Sequence, residues 1–179
     1  MKTNPITNSL GSKNIAFPNV IVKTRYGNVN LKSIIENKRI IICTNPSELI
    51  PKTKEGRNRF ELALKQLKKL NFHLIGFNKN TFEEHLFSVN WLNSHMEDFL
   101  VFPIYYLPKN EVKKNLEEML SKEILIDNPI YFIDKSGITQ YILNGDDIKS
   151  KNLESIVELA SKMVLSDQNF ANSINSLEN

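Results

Sequence analysis

Apolar positions along this chain change period several times, and each change predicts an element. Arg39-Ile40-Ile41-Ile42-Cys43 is an unbroken, β-branched run of the kind that makes a strand buried on both faces. Pro46 has no N–H and ends that run. The polar stretch Ser47 to Glu55 reads as a turn, and the period then shifts: Phe60, Ala63, Leu64, Leu67 and Leu70 share one face of a helix over 57–70. Asn71 ends the helix, and Phe72 to Phe77 reads as the next strand. Thr81 with Glu84 three residues on is a capping box, opening a helix to about Asn93 with Phe82, Leu86 and Val89 inward. Residues 94–99 read as a loop, Phe99 to Tyr106 as strand interrupted by Pro103, and Val112, Leu116, Met119 and Leu120 as a short helix. Upstream, Val20 to Thr24 and Val29 to Leu31 flank the turn signal Tyr26-Gly27-Asn28, which predicts a hairpin, and Leu31 to Ile35 forms one helical turn. Downstream, Ile130 to Ile133 and Ile138 to Leu143 flank Asp134-Lys135-Ser136-Gly137, a second hairpin. Leu153, Ile156, Val157, Ala160, Met163 and Val164 make the cleanest helical stripe.

This alternation predicts an α/β domain with a central mixed sheet and helices on both faces. At 179 residues the chain is long enough for a core of its own. Residues 1–14 read as a flexible N-terminal segment, 15–165 as the domain, and 166–179 as a polar C-terminal tail rich in Asn and Ser. A net charge of +3 does not mark a nucleic-acid or membrane surface, and no run approaches the roughly 20 apolar residues of a membrane span. Residues 1–13 lack the apolar run of a signal peptide, so a cytoplasmic protein is expected. The single cysteine, Cys43, excludes an internal disulfide, a CxxC pair and a zinc knuckle, in keeping with a reducing compartment.

The loop after the first apolar strand is where α/β proteins usually place chemistry, at a strand's C-terminal end and a helix N-terminus. From Thr44 to Glu55 it carries no cysteine, histidine or glycine. Cys43, ending an apolar strand, reads as a small buried hydrophobe, with a redox thiol as the alternative. His73, His85 and His95 with Glu83, Glu84, Glu97 and Asp98 lack the i, i+4 pairing of a helical metal site, so no metal and no cofactor is expected. Lys65, Lys68 and Lys69 with Arg57 and Arg59 read as a solvated face.

Element order and several short stretches together resemble the peroxiredoxin family, in its alkyl hydroperoxide reductase C and thiol-specific antioxidant branch. Ala16-Phe17-Pro18 resembles the family's Ala-Pro-x-Phe entry segment, and Gly27-Asn28-Val29-Asn30-Leu31 its Gly-x-x-x-Leu hairpin. Leu74-Ile75-Gly76-Phe77, then Phe82, His85 and Trp91-Leu92-Asn93, resemble its Ile-Gly-Val-Ser strand and the helix after it. Phe102-Pro103-Ile104 resembles its Tyr/Phe-Pro-Ile strand, Ile130 to Gly137 its Phe-Ile-Ile-Asp-x-x-Gly hairpin, and Asn152 to Val164 its last helix. The resemblance spans roughly residues 15–165 and implies a thioredoxin-like fold with peroxiredoxin-type elaboration.

The family reads Pro-x-x-x-Thr-x-x-Cys after the strand, with Phe seven residues past the cysteine. Pro46 and Phe60 fit both ends, which puts Ile50 at the peroxide-orienting threonine and Thr53 at the peroxidatic cysteine; a one-residue slip would put Lys52 there. The family's arginine, six residues before the hairpin Asp, falls at Asn128. The 166–179 segment holds no resolving cysteine. Peroxide reduction needs a thiolate that becomes a sulfenic acid, and a threonine hydroxyl does not do this. Pro46, Ile50, Thr53 and Asn128 are thus expected to form a vestigial site in a catalytically silent, structural or regulatory relative. The alternative is an antioxidant oxidoreductase acting through Cys43 and an external thiol. Strand 138–143, with Ile138, Gln140 and Ile142 on one face and Thr139, Tyr141 and Leu143 on the other, is expected to be an uncharged edge that pairs with its copy in a homodimer, or with an active relative.

Overall fold

The computed structural model describes residues 14–24, 27–112, 114, 128–143 and 153–177. An eight-stranded mixed sheet runs through them in the order β1-β8-β7-β4-β5-β6-β2-β3. The strands are β1 (Ile15–Ala16), β2 (Ile21–Thr24), β3 (Gly27–Asn30), β4 (Arg39–Cys43), β5 (Phe72–Asn78), β6 (Ile104–Tyr106), β7 (Ile130–Ile133) and β8 (Ile138–Leu143). The helices are α1 (Leu31–Ile35), α2 (Pro46–Leu49), α3 (Lys54–Lys69), α4 (Phe82–His95), α5 (Lys109–Val112) and α6 (Glu154–Leu177), with a 3-10 turn at Asp98–Leu100.

The isoleucine run lies at the centre of the sheet. β4 pairs parallel with β5 and antiparallel with β7, so its residues are buried on both faces. Ile41 and Cys43 join Phe72, Leu74, Ile130 and Phe132 under α3, α6 and the C-terminal half of α4. Ile40 and Ile42 join Phe77, Tyr131 and Ile133 on the opposite face, covered by α1 and by Phe17 and Val20. Period-2 alternation within a fully buried run thus divides one strand between two cores.

Chain reversals follow local chemistry. Asn71 ends α3 at φ 59°, a left-handed conformation that Asn tolerates. At the second hairpin, Asp134 Oδ1 accepts from the N–H groups of Ser136 and Ile138 at 2.8 and 3.0 Å, and Gly137 takes φ 78°. Arg39 clamps α6 to the start of β4 by donating from Nε and Nη2 to Asp167 Oδ2 at 3.2 and 2.8 Å.

Several expectations need correction. The 47–55 turn contains α2, and α3 begins at Lys54, three residues earlier than the apolar stripe indicates. α4 turns a different face inward. Ser88 and Leu92 are its buried residues, while Phe82 and Leu86 are 55% and 45% exposed and Val89 is half-buried. Ser88 tolerates this because its hydroxyl donates to the Glu84 carbonyl at 3.0 Å. The polar residues 166–177 continue α6; they contain no Gly or Pro to stop it. β6 keeps only Ile104–Tyr106 of the 99–106 stretch, with Asp98–Leu100 in a 3-10 turn. Strand 138–143 is not an open edge along its whole length, because Ile15 and Ala16 pair with Thr139 and Ile138. Its regular alternation also fails, since a bulge between Phe132 and Ile133 skips Gln140. Most of the expected helix at Val112, Leu116, Met119 and Leu120 lies outside the described residues, as do Tyr26 of the first hairpin turn and residues 1–13.

Candidate active-site region

The C-terminal end of β4 gathers the residues of interest by topology. After Cys43 the chain turns through Thr44 and Asn45 into α2, and Pro46 occupies its first turn, where a missing N–H costs nothing. Pro46 rests on Gly76 of β5. A Cβ at Gly76 would lie 2.9 Å from both Cβ and Cγ of Pro46 and 3.2 Å from Ile104 Cγ1, so only glycine permits this approach. Ile50 follows α2, buried at 7% exposure. Thr53 then caps α3: its backbone is extended and its Oγ1 accepts from the Gly56 N–H at 3.1 Å.

Asn128 reaches the same end of the sheet from β7. Cys43 pairs with Ile130, and the buried Thr44 Oγ1 donates to the Pro129 carbonyl at 2.9 Å, which holds the start of β7 against the turn after β4. Asn128 itself sits at φ 48°. Pro46, Ile50 and Thr53 therefore lie on one segment, and Asn128 on the strand entry beside it. Thr53 is exposed and Ile50 is not.

Cys43 is 2% exposed within the core under α3. Burial pushes its thiol up from 9.0 to about 12; a backbone hydrogen bond from Asn45 opposes this, Glu48 adds to it, and Lys79 opposes it. A thiol in this state is protonated at neutral pH. Lys79, 8% exposed just past the end of β5, and Thr44 are polar groups of this region that pattern reading passed over. The available signal was position, because each directly follows an apolar strand at the sheet's C-terminal end.

The other candidates lie elsewhere. His73 is on β5, while His85 and His95 are on α4. Partial burial holds His85 below the usual histidine range. Among the described residues, no group of three or more His, Cys, Asp or Glu side chains is placed to hold a metal. Of the basic face, Arg59 donates to Glu154 at 3.1 and 2.9 Å, and Lys65 and Lys68 lie over the Phe99 ring at 5.8 and 5.2 Å from its centroid. No described helix is long and apolar enough to cross a membrane.

No family model matches the chain. A protein named peroxiredoxin from Hyperthermus butylicus is 24% identical over 161 residues, covering 89% of this chain and 68% of that one. Another from Methanocaldococcus jannaschii is 26% identical over 156 residues, covering 85% and 71%. In fold, the chain is similar to the mitochondrial 2-Cys peroxiredoxin of Plasmodium falciparum, with a TM-score of 0.59 and 16% identity over 87% of this chain and 95% of that one. It is also similar to a cysteine-to-serine mutant of peroxiredoxin 6 of Arenicola marina, with a TM-score of 0.62 and 14% identity over 87% and 74%. The peroxiredoxin resemblance holds in sequence and in fold. This peroxiredoxin-like chain has one cysteine, and it lies in β4, ten residues before the position to which the motif register assigns the nucleophile.

Proposed function

We propose that this protein is a catalytically silent peroxiredoxin-like protein with a structural or regulatory role, alone or in assembly with an active relative. One observation carries the reading: the motif position of the peroxidatic cysteine is Thr53, whose side chain caps a helix. Peroxide reduction transfers an oxygen atom to a thiolate sulfur, which becomes a sulfenic acid as the O–O bond breaks. Thr53 has no sulfur to oxidise. Ile50 and Asn128, at the positions of the family's threonine and arginine, bring neither a hydroxyl nor a positive charge to a peroxide. The alternative through Cys43 is disfavoured by a thiol that is 2% exposed and titrates at about 12.

A peroxidase assay with hydrogen peroxide, a thioredoxin-type reductant and its reductase tests this. Wild type and Cys43→Ser are expected to give the same background rate. Thiol-dependent turnover by wild type that disappears in Cys43→Ser overturns the proposal and makes Cys43 the nucleophile.

A further inference from the structure

The described residues form a cavity of about 230 Å³ at the opposite end of the sheet, where β5 begins. Its origin is Pro103. The β5–β6 ladder starts with the Gly76 N–H donating to the Pro103 carbonyl at 2.9 Å and continues through Asn78, whose carbonyl accepts from Leu107 N–H at 3.1 Å. In a parallel ladder every second residue faces the same neighbour, so Leu74 turns its carbonyl toward the same side. There it meets Pro103, which has no N–H to donate. The strands therefore part below Gly76, and a slot opens between Phe72–Ile75 and Leu100–Pro103.

The slot is apolar inside and basic at its rim. Leu67, Phe72 and Phe102 are among its apolar walls, and among the described residues its only ionisable lining groups are Lys38, Lys68 and His73. Both lysines are held in place: Lys38 Nζ donates to the Ile34 carbonyl at 3.1 Å, and Lys68 Nζ lies over Phe99. Partial burial, then the charges of Lys38 and Lys68, hold His73 below the usual histidine range, so both lysines act on the His73 ring. A small apolar wall bounded by cations, with no acidic residue among the described lining, is complementary to an anion carrying a hydrocarbon body.

We propose that this slot binds a small aliphatic carboxylate, its chain against Leu67, Phe72 and Phe102 and its carboxylate at Lys38 and Lys68, with an N–H from His73. The site is remote from Thr53 and does not depend on whether the protein reduces peroxide.

Octanoate serves as the probe, followed by amide chemical shifts and calorimetry, with octanol (the chain without the charge) and inorganic phosphate (the charge without the chain) as comparison probes. Octanoate is expected to bind saturably, with shifts confined to residues 34–40, 64–75 and 100–103, and octanol and phosphate more weakly. The double variant Lys38→Gln/Lys68→Gln, both substitutions at exposed positions, is expected to weaken octanoate by about tenfold or more, the size expected for losing charge-assisted hydrogen bonds. Lys135→Gln, at the exposed tip of the second hairpin, is expected to leave affinity unchanged. No saturable binding by wild type, shifts centred on residues 44–56, equal affinity for octanol, or an unaffected double variant would each overturn the proposal. An unchanged thermal melt for the double variant shows that its loss of binding is not loss of fold.

Discussion

Cys43 and Thr53 are ten residues apart and divide between them what a peroxidatic residue must combine. Cys43 has the sulfur, but it lies in a central strand between β5 and β7 at 2% exposure. Burial holds its proton on to about 12. Thr53 has the setting: it is exposed, at the N-cap of a sixteen-residue helix, with the Gly56 N–H directed at its side-chain oxygen. A helix N-terminus carries partial positive charge and stabilises a thiolate placed there. Nucleophilicity belongs to a place as much as to an atom. Here a setting suited to a thiolate carries no sulfur, and the sulfur occurs where burial opposes the charge.

Exchanging the two breaks the comparison most sharply. In a Cys43→Ala/Thr53→Cys chain, the new thiol is expected to react with a disulfide reagent at pH 8 at least about thirtyfold faster than Cys43 does in the native wild type. Thiolate fraction, roughly a quarter for an ordinary thiol against about one in ten thousand for one titrating at about 12, favours the new thiol, and the greater intrinsic nucleophilicity of a high-pKa thiolate offsets part of that ratio. Restricted access to Cys43 widens the gap. The pH profiles should differ as well. The rate of the introduced thiol should level off above an ordinary thiol's pKa or lower, while that of native Cys43 should keep rising with pH. Equal rates in native protein, with both chains folded, would show that Cys43 is accessible and reactive.

The same contrast explains what could be read before the fold was known. Strands β4, β5, β7 and β8 were legible because buried strands are nearly continuous apolar runs bounded by turn residues. Cys43 was legible as a core residue for the same reason. The inward face of α4 was not, because apolarity alone selects Phe82 and Leu86. The fold instead buries Ser88, whose hydroxyl is satisfied on its own helix, and leaves Phe82 at the helix start with its ring edge-on to Tyr106 at 5.7 Å. β1 escaped notice because two residues carry no period. At the site, Pro46 and Phe60 set the register that points to Thr53, but Thr53 itself reads as turn where the structure has a helix cap. Gly56 in the first helical turn hides the helix start from propensity, although Thr-Lys-Glu is an acceptable N-terminal sequence. The left-handed backbone of Asn128 is a property of the strand entry and left no mark beyond the choice of Asn before Pro129.

The rigidity of the thiol's side of the comparison can be tested at Gly76, which pairs with Cys43 in the β4–β5 register. Gly76→Ala places a methyl group 2.9 Å from two atoms of the Pro46 ring, which has no flexible end to move away, and 3.2 Å from Ile104. The substitution is expected to cost about 1–3 kcal/mol in urea unfolding, the range for overpacking a closed site. A loss under about half a kcal/mol would mean that α2 shifts freely, and that the end of β4 is not the fixed frame inferred for it.

The smallest effect belongs to Thr53, and it tests whether the two regions are independent. Four N–H groups at the start of a helix lack helical partners, and Thr53 Oγ1 serves the one on Gly56 at 3.1 Å. Thr53→Ala removes that acceptor at an exposed position and is expected to cost about 1 kcal/mol, whereas Thr53→Ser, which keeps the oxygen, should cost no more than a few tenths. If capping is all that Thr53 does, its loss should add to that of Cys43→Ala within about half a kcal/mol, since independent sites add and coupled ones do not. Additivity would leave the exposed cap and the buried thiol as separate structural roles. A coupling above about 1 kcal/mol would tie the helix start to the strand core beneath it, and the division between place and atom would fail as an account of this site.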